Sequence, residues 1–223
     1  MSSIGPSRVF VDSNVLMSRT LTDWLCLLSL ETATPPYRVY WSEDVLADVI
    51  HHTRKQHPEW DGARISVIRD RFVSVFEGGR VGDFVIDGSY AGSDPHDAHV
   101  HAAAVACDAA YLLTGNVRDF PGGGDHLAYE VIDPDSFFVL IDDGSPGLVR
   151  AVTRAQMTYW ARRRPEANLP HHLERAGCPA FCGACSSPPV RYWRSTRTSS
   201  PDRHAVPSPN ARRLIVTDSR HGL

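Results

Sequence analysis

Aspartates recur at places where a chain usually puts caps and turns. Asp12 follows the run RVFV, Asp97 sits in SDPHDAH, and Asn116 and Asp119 follow AYLLT in the stretch TGNVRDF. Asp48 lies in SEDVLADVI, one helical turn beyond Asp44 and next to the apolar pair Val45 and Val49. Carboxylates brought within a few ångströms raise one another's pKa, and a divalent cation removes that penalty. Hard cations such as Mg²⁺ take carboxylate and water oxygens together with substrate phosphates. That combination suits phosphodiester hydrolysis, where the ion lowers the pKa of a water and steadies charge on the phosphoryl group. Each acid also has a plainer role: Asp12 as a helix cap, Asp97 as a complement to a helix dipole, Asp119 as a turn former before Pro121-Gly122, Asp44 and Glu43 as solvated charges. The choice turns on whether the intervening elements deliver the acids to one edge.

Arg8 to Val11 is a short β-rich run that hands over to a helix across Val15 to Leu30. Tyr37 to Trp41 is a strand or extended approach, and Ser42 is an N-cap for a helix from Glu43 to about His57, with Val45, Leu46, Val49 and Ile50 on its buried face. Ile65 to Phe76 reads as an amphipathic helix closed by Gly78-Gly79, and Asp83 to Ile86 as a strand. Asp94 before Pro95 is a strong start for a helix over Ala98 to Ala110, followed by strands at Ala110 to Thr114 and Tyr129 to Ile132. A final helical segment spans Ser145 to Arg163. Strands alternating with helices imply an α/β fold, a three-layer sandwich around a central parallel sheet. In such sheets ligands bind at the carboxyl ends of the strands, the edge that collects Asp12, Asn116 and Asp119, with Asp97 in the first turn of a helix there.

Composition narrows the classes further. With 42% hydrophobic and 22% charged residues, and no apolar run long enough to span a bilayer, the 223-residue chain reads as a globular protein without a membrane segment, for which a cytoplasmic location is the default expectation. Residues 1–160 hold 12 basic and 22 acidic side chains, whereas residues 161–223 hold 11 and 4. The expected organisation is a catalytic domain over residues 1–143, a helical extension over 144–176 and a disordered tail rich in Pro, Arg and Ser over 177–223. His171, His172, Cys178, Cys182 and Cys185 have the donor types of a zinc site, but the C-x3-C-x2-C spacing departs from closed four-ligand patterns. An out-of-frame continuation after about Phe181 is another reading of that end.

The order VFVDSN, SEDVLADV, DPHDAHVHAAA and LLTGNVRDF resembles the PIN-domain nucleases, in particular the group related to VapC toxins of toxin–antitoxin pairs. The likeness covers roughly residues 7–143, and its last two motifs are the most specific. It implies a Mg²⁺- or Mn²⁺-dependent endoribonuclease acting on RNA, with a cognate antitoxin and a homodimer as partners. By the same resemblance Asp12, Asp48, Asp97 and Asp119 are the catalytic and metal-binding acids, with Asn116 sharing the fourth position with Asp119. Asn14 and Thr114 are implied as supporting contacts, and Glu43 as a weaker alternative to Asp48. Asparagine at 116, where many relatives carry aspartate, lowers the charge of the site. Aspartate at 48, where glutamate is common, gives that ligand a shorter reach.

Overall fold

The structure, a computed structural model, describes residues 5–120, 128–163 and 168–186. Five short strands, β1 (Ser7–Val11), β2 (Tyr37–Ser42), β3 (Arg80–Val81), β4 (Tyr111–Leu113) and β5 (Glu130–Ile132), form one all-parallel sheet in the order β3-β2-β1-β4-β5. Its central members are apolar on both faces, with Val9, Phe10, Val11, Leu112 and Leu113 fully buried, as expected for strands covered from both sides. The chain runs outward from β1 through β2 to β3, then returns to place β4 on the other flank of β1. In open parallel sheets the crevice for ligands lies where the strand order reverses, which here is at the carboxyl ends of β1 and β4. The class is α/β, as the alternation of elements implies.

The chain divides into two compact units. The first comprises residues Met1–Thr22 and Pro36–Pro134. It holds the sheet, α1 (Ser13–Leu16), α3 (Glu43–Gln56), α4 (Gly62–Val75) and α5 (Ala98–Ala106), together with the first turn of α2 (Arg19–Leu30). The helix expected over Val15 to Leu30 is therefore two: Met17 caps the single turn of α1 with its backbone N–H, and α2 restarts at Arg19. Ser42 caps α3 as expected, its hydroxyl accepting from the Val45 N–H, and Val45, Leu46 and Val49 are buried. Trp41 packs edge-on against Phe72 of α4 at 5.1 Å and donates its indole N–H to the Phe76 carbonyl.

The strand expected at Asp83 to Ile86 is not formed. The second crossover returns earlier, pairing Arg80 and Val81 with Trp41 and Ser42, and the next residues leave the sheet with Val85 79% and Ile86 59% exposed. Asp94 caps a 3-10 turn, Pro95–Asp97, rather than α5 itself, which begins at Ala98.

The second unit comprises residues Asp23–Pro35 and Asp135–Leu223 and carries α6 (Pro134–Gly144) from its second residue, α7 (Pro146–Arg163), α8 (Leu169–Arg175) and α9 (Pro179–Ser186). Disorder expected from residue 177 is overturned as far as Ser186. Phe181 is fully buried, edge-on to Trp24 at 5.0 Å and 5.1 Å from Phe138. Asp135 accepts from the backbone N–H groups of Ala180 and Phe181, an anion placed at the start of α9. Cys178, Cys182 and Cys185 recur at helical spacing and are buried, and burial pushes the Cys185 thiol up to about 12. The remainder of the tail, residues 187–223, lies outside the described residues. Among those described, no helix is long and apolar enough to cross a membrane.

Gly79 supports β2 through close backbone approach: a Cβ there would stand 1.9 Å from the Val39 carbonyl oxygen. Gly79→Ala is expected to lower unfolding free energy by about 1–3 kcal/mol, the cost of overpacking a rigid contact. Urea denaturation against the parent protein measures it. An unchanged midpoint removes this contact as a determinant of the β2–β3 edge.

Candidate active site

Asp12 leaves β1 at the reversal of strand order and is 4% exposed. Its carboxylate is held by three donors: the Ser13 N–H, the Thr114 hydroxyl at 2.8 Å and the Asn14 side-chain amide at 2.7 Å. Thr114, fully buried at the end of β4, also accepts from Asn14 Nδ2 and from the Asn116 N–H, each at 3.0 Å. Asn14 closes the ring by accepting from the Gly115 N–H at 2.9 Å. Burial nevertheless outweighs these bonds, and the Asp12 carboxyl lies above the ordinary carboxylate range. Asp12 is the N-cap of α1, as its plainer role implies, and stands at the carboxyl edge of the sheet as well.

Asp97 sits at the junction of the 3-10 turn and α5, and its side chain makes no capping hydrogen bond. Burial, then the charges of Asp12, Asp94 and Asp119, push its carboxyl up to about 6, against a smaller opposing influence of His99. Asp94 of the same turn and two aspartates from separate segments, Asp12 and Asp119, thus act on Asp97. Asp94 itself is exposed and spends its carboxylate on the His96 N–H.

Asp119 lies in a 3-10 turn, Val117–Asp119, just beyond β4. Tyr90 pins this turn by donating its hydroxyl to the Asp119 carbonyl at 2.7 Å, with its ring 5.7 Å from Phe120. Burial and the same group of aspartates push the Tyr90 phenol up to about 12. Gly92 makes the approach possible, since a Cβ there would stand 2.0 Å from the Tyr90 hydroxyl and 2.3 Å from the Asp119 carbonyl oxygen.

Asp48 reaches the site indirectly: its Oδ2 is 3.3 Å from His99 Nε2 on α5. Glu43 is paired instead with Arg80 at 3.0 Å, and Asn116 is exposed, so of the two sharers of the fourth position Asp119 is the one that acts on Asp97. His101 is buried between the Tyr129 hydroxyl at 2.6 Å and the Ser89 hydroxyl at 3.1 Å, and burial lowers its pKa. Of the surface and supporting positions that the spacing from Asp97 leaves open for His99 and His101, the surface one is not taken: His99 is half-buried and His101 buried. Both turn inward because α3 and β5 supply polar partners from outside α5. Tyr90, Gly92 and His99 were not legible as site residues, since none belongs to a spacing pattern with an acid.

The donor chemistry of Asp12, Asp97 and Asp119, all carboxylate oxygens at one strand edge, fits a hard divalent cation. Among the described residues no three His, Cys, Asp or Glu side chains converge closely enough to form a finished ligand cage. The acids feel one another through space without having collapsed together.

Asp97 titrates at 3.8 when unperturbed and near 6 in the fold. The folded state therefore holds this proton more tightly, and stability falls as pH rises from about 4 through about 6. Asp97→Asn is expected to stabilise the protein by about 1 kcal/mol at about pH 8, a figure discounted for solvent screening of a partly exposed group, and by nothing at about pH 4. Urea denaturation at the two pH values checks it; an equal effect at both pH values rules out charge repulsion as the cause. No protein-family model, curated protein or solved structure matches the chain.

Proposed function

We propose that the chain is a divalent-metal-dependent endoribonuclease that hydrolyses RNA phosphodiester bonds and serves as the toxin of a toxin–antitoxin pair. The observation that carries this reading is the influence of Asp12 and Asp119 on Asp97 at the reversal of strand order, which with burial pushes the Asp97 carboxyl up to about 6. The sequence resemblance to PIN-domain nucleases points to the same acids. Asp12, Asp97 and Asp119 would hold Mg²⁺ or Mn²⁺, which supplies positive charge against a phosphate and a lowered pKa for a bound water. Thr114 and Asn14 fix the Asp12 carboxylate in one orientation. Tyr90 fixes the backbone that carries Asp119. A bound cation would offset the repulsion that Asp12, Asp94 and Asp119 exert on the Asp97 carboxyl. Asp48 orients His99 rather than touching the reacting atoms.

Cleavage of mixed single-stranded RNA should require Mg²⁺ or Mn²⁺, cease with EDTA, and fall by at least ~100-fold in Asp97→Asn. Asp48→Asn should cost only about tenfold, because Asp48 bears on the site only through His99. Mg²⁺ should raise the melting midpoint of the parent protein but not that of Asp97→Asn, because binding to the native state alone stabilises it. Expression of the parent, and not of Asp97→Asn, should arrest growth if the chain is a toxin. A second reading, a catalytically silent RNA-binding module, is favoured by the neutral, exposed Asn116 and by the diversion of Asp48 to His99. Metal binding and RNA binding without cleavage would establish it. Preferential cleavage of DNA would redirect the reading to a DNA nuclease built on the same acids.

A further inference from the structure

Away from the acids, cationic side chains concentrate at the turn between α3 and α4. Residues 51–71 hold Arg54, Lys55, Arg64, Arg69 and Arg71, five of the 12 basic residues within residues 1–160, together with His51, His52 and His57. Glu59, Asp61 and Asp70 are the acids of the same segment. The His57 and Trp60 rings lie parallel, with centroids 3.8 Å apart and an interplanar angle of 3°. The Arg64 guanidinium stands 3.9 Å from the centre of the Trp60 ring. Two groups that close to one indole must cover opposite faces, so imidazole, indole and guanidinium form a column.

The column is preassembled. Arg54 donates to the Trp60 carbonyl at 2.6 Å, Trp60 donates its N–H to the His57 carbonyl at 3.1 Å, and Asp61 caps α4 through the Arg64 N–H at 2.8 Å. A base or charge that meets it loses little ordering entropy. His57 closes the column and its side chain is 38% exposed, with Glu59 3.6 Å from Nδ1. A planar ring with an open face, flanked by cations, is the arrangement that single-stranded nucleic acid uses: bases stack on the ring and phosphates meet the charges.

Electrostatics makes such a surface necessary for the proposed substrate. Residues 1–160 carry a net charge of −10 by formal count, with 12 basic against 22 acidic side chains, and the reacting phosphate must approach a group of aspartates. A cationic landing place offsets that repulsion. The helix α3 joins the two regions, because Lys55 follows Asp48 by seven residues, about 10 Å of helix at ~1.5 Å per residue. We propose that the α3–α4 turn binds single-stranded RNA, with a base stacked on the open face of His57 and phosphates on Lys55 and Arg64. The choice of RNA over an acidic protein rests on the nuclease reading.

The test uses the full chain carrying Asp97→Asn, in EDTA, titrated into a short unstructured fluorescein-labelled single-stranded RNA and followed by anisotropy. Adding His57→Ala should weaken binding about tenfold, the effect of losing one stacking platform. Adding Lys55→Gln with Arg64→Gln should reduce the slope of log K against log salt by about 1.4, at ~0.7 per phosphate contact. Arg154→Gln, which removes one exposed cation from α7, should bind like the parent, and circular dichroism melts confirm that each variant folds. Unchanged affinity and slope in the His57 and Lys55/Arg64 variants overturn the proposal, as does competition by polyglutamate equal to that by RNA. Loss of binding in these variants, with no cleavage by the wild-type chain in Mg²⁺, sustains the surface and rejects the nuclease. Metal-dependent cleavage with binding indifferent to all three residues does the reverse.

Discussion

The hydrogen bond from Thr114 to Asp12 joins the carboxyl ends of two neighbouring strands, across 102 positions of sequence. It places a carboxylate in the interior at the seam where the sheet's strand order reverses, and Asn14 and the Asn116 N–H complete the polar circuit around it. A buried charge is tolerated only when its oxygens are occupied by donors. That requirement explains why the two loops at this edge are so closely specified: Ser13 and Asn14 on one side, and Thr114, Gly115 and Asn116 on the other, each have a backbone or side-chain group committed to the ring.

The donors satisfy Asp12 without neutralising it, and they leave Asp97 with no capping bond and with aspartates on several sides. Such an arrangement costs the fold stability as pH rises from about 4 through about 6. The acids divide into two kinds. Asp12 and Asp119 act on Asp97, whereas Asp48 faces the imidazole of His99. The resemblance-based assignment treats all four alike, and geometry separates them.

The parts legible in sequence are those written as local rules. Ser42 before an apolar helical face, the alternation of strand and helix, and the acids that follow RVFV and AYLLT all translate directly into position. What was not legible depends on contacts between segments. Asp83 to Ile86 has the composition of a strand but lies outside the sheet, and Arg80 and Val81 pair with Trp41 and Ser42 in its stead. The helix at Pro179–Ser186 was hidden by its Cys, Gly and Pro content; burial of Phe181 against Trp24 and Phe138, and the Asp135 carboxylate at its start, override weak propensity. His99 is drawn inward by Asp48 from another helix, and the His57–Trp60–Arg64 column forms only when a turn brings the ends of two helices together.

The circuit around Asp12 also has a temporal meaning. Its members come from residues 12–14 and 114–116, and two of the aspartates that act on Asp97, Asp12 and Asp119, come from the same two ends of that span. Closing so long a loop costs entropy that only the docking of β4 against β1 returns, which makes this a late event in folding. A chain emerging from the ribosome can build β1, α3 and β2 well before it holds the second half of the crevice. The acids are strangers to one another until the sheet gains its fourth strand, so any activity they support appears only with the nearly finished fold.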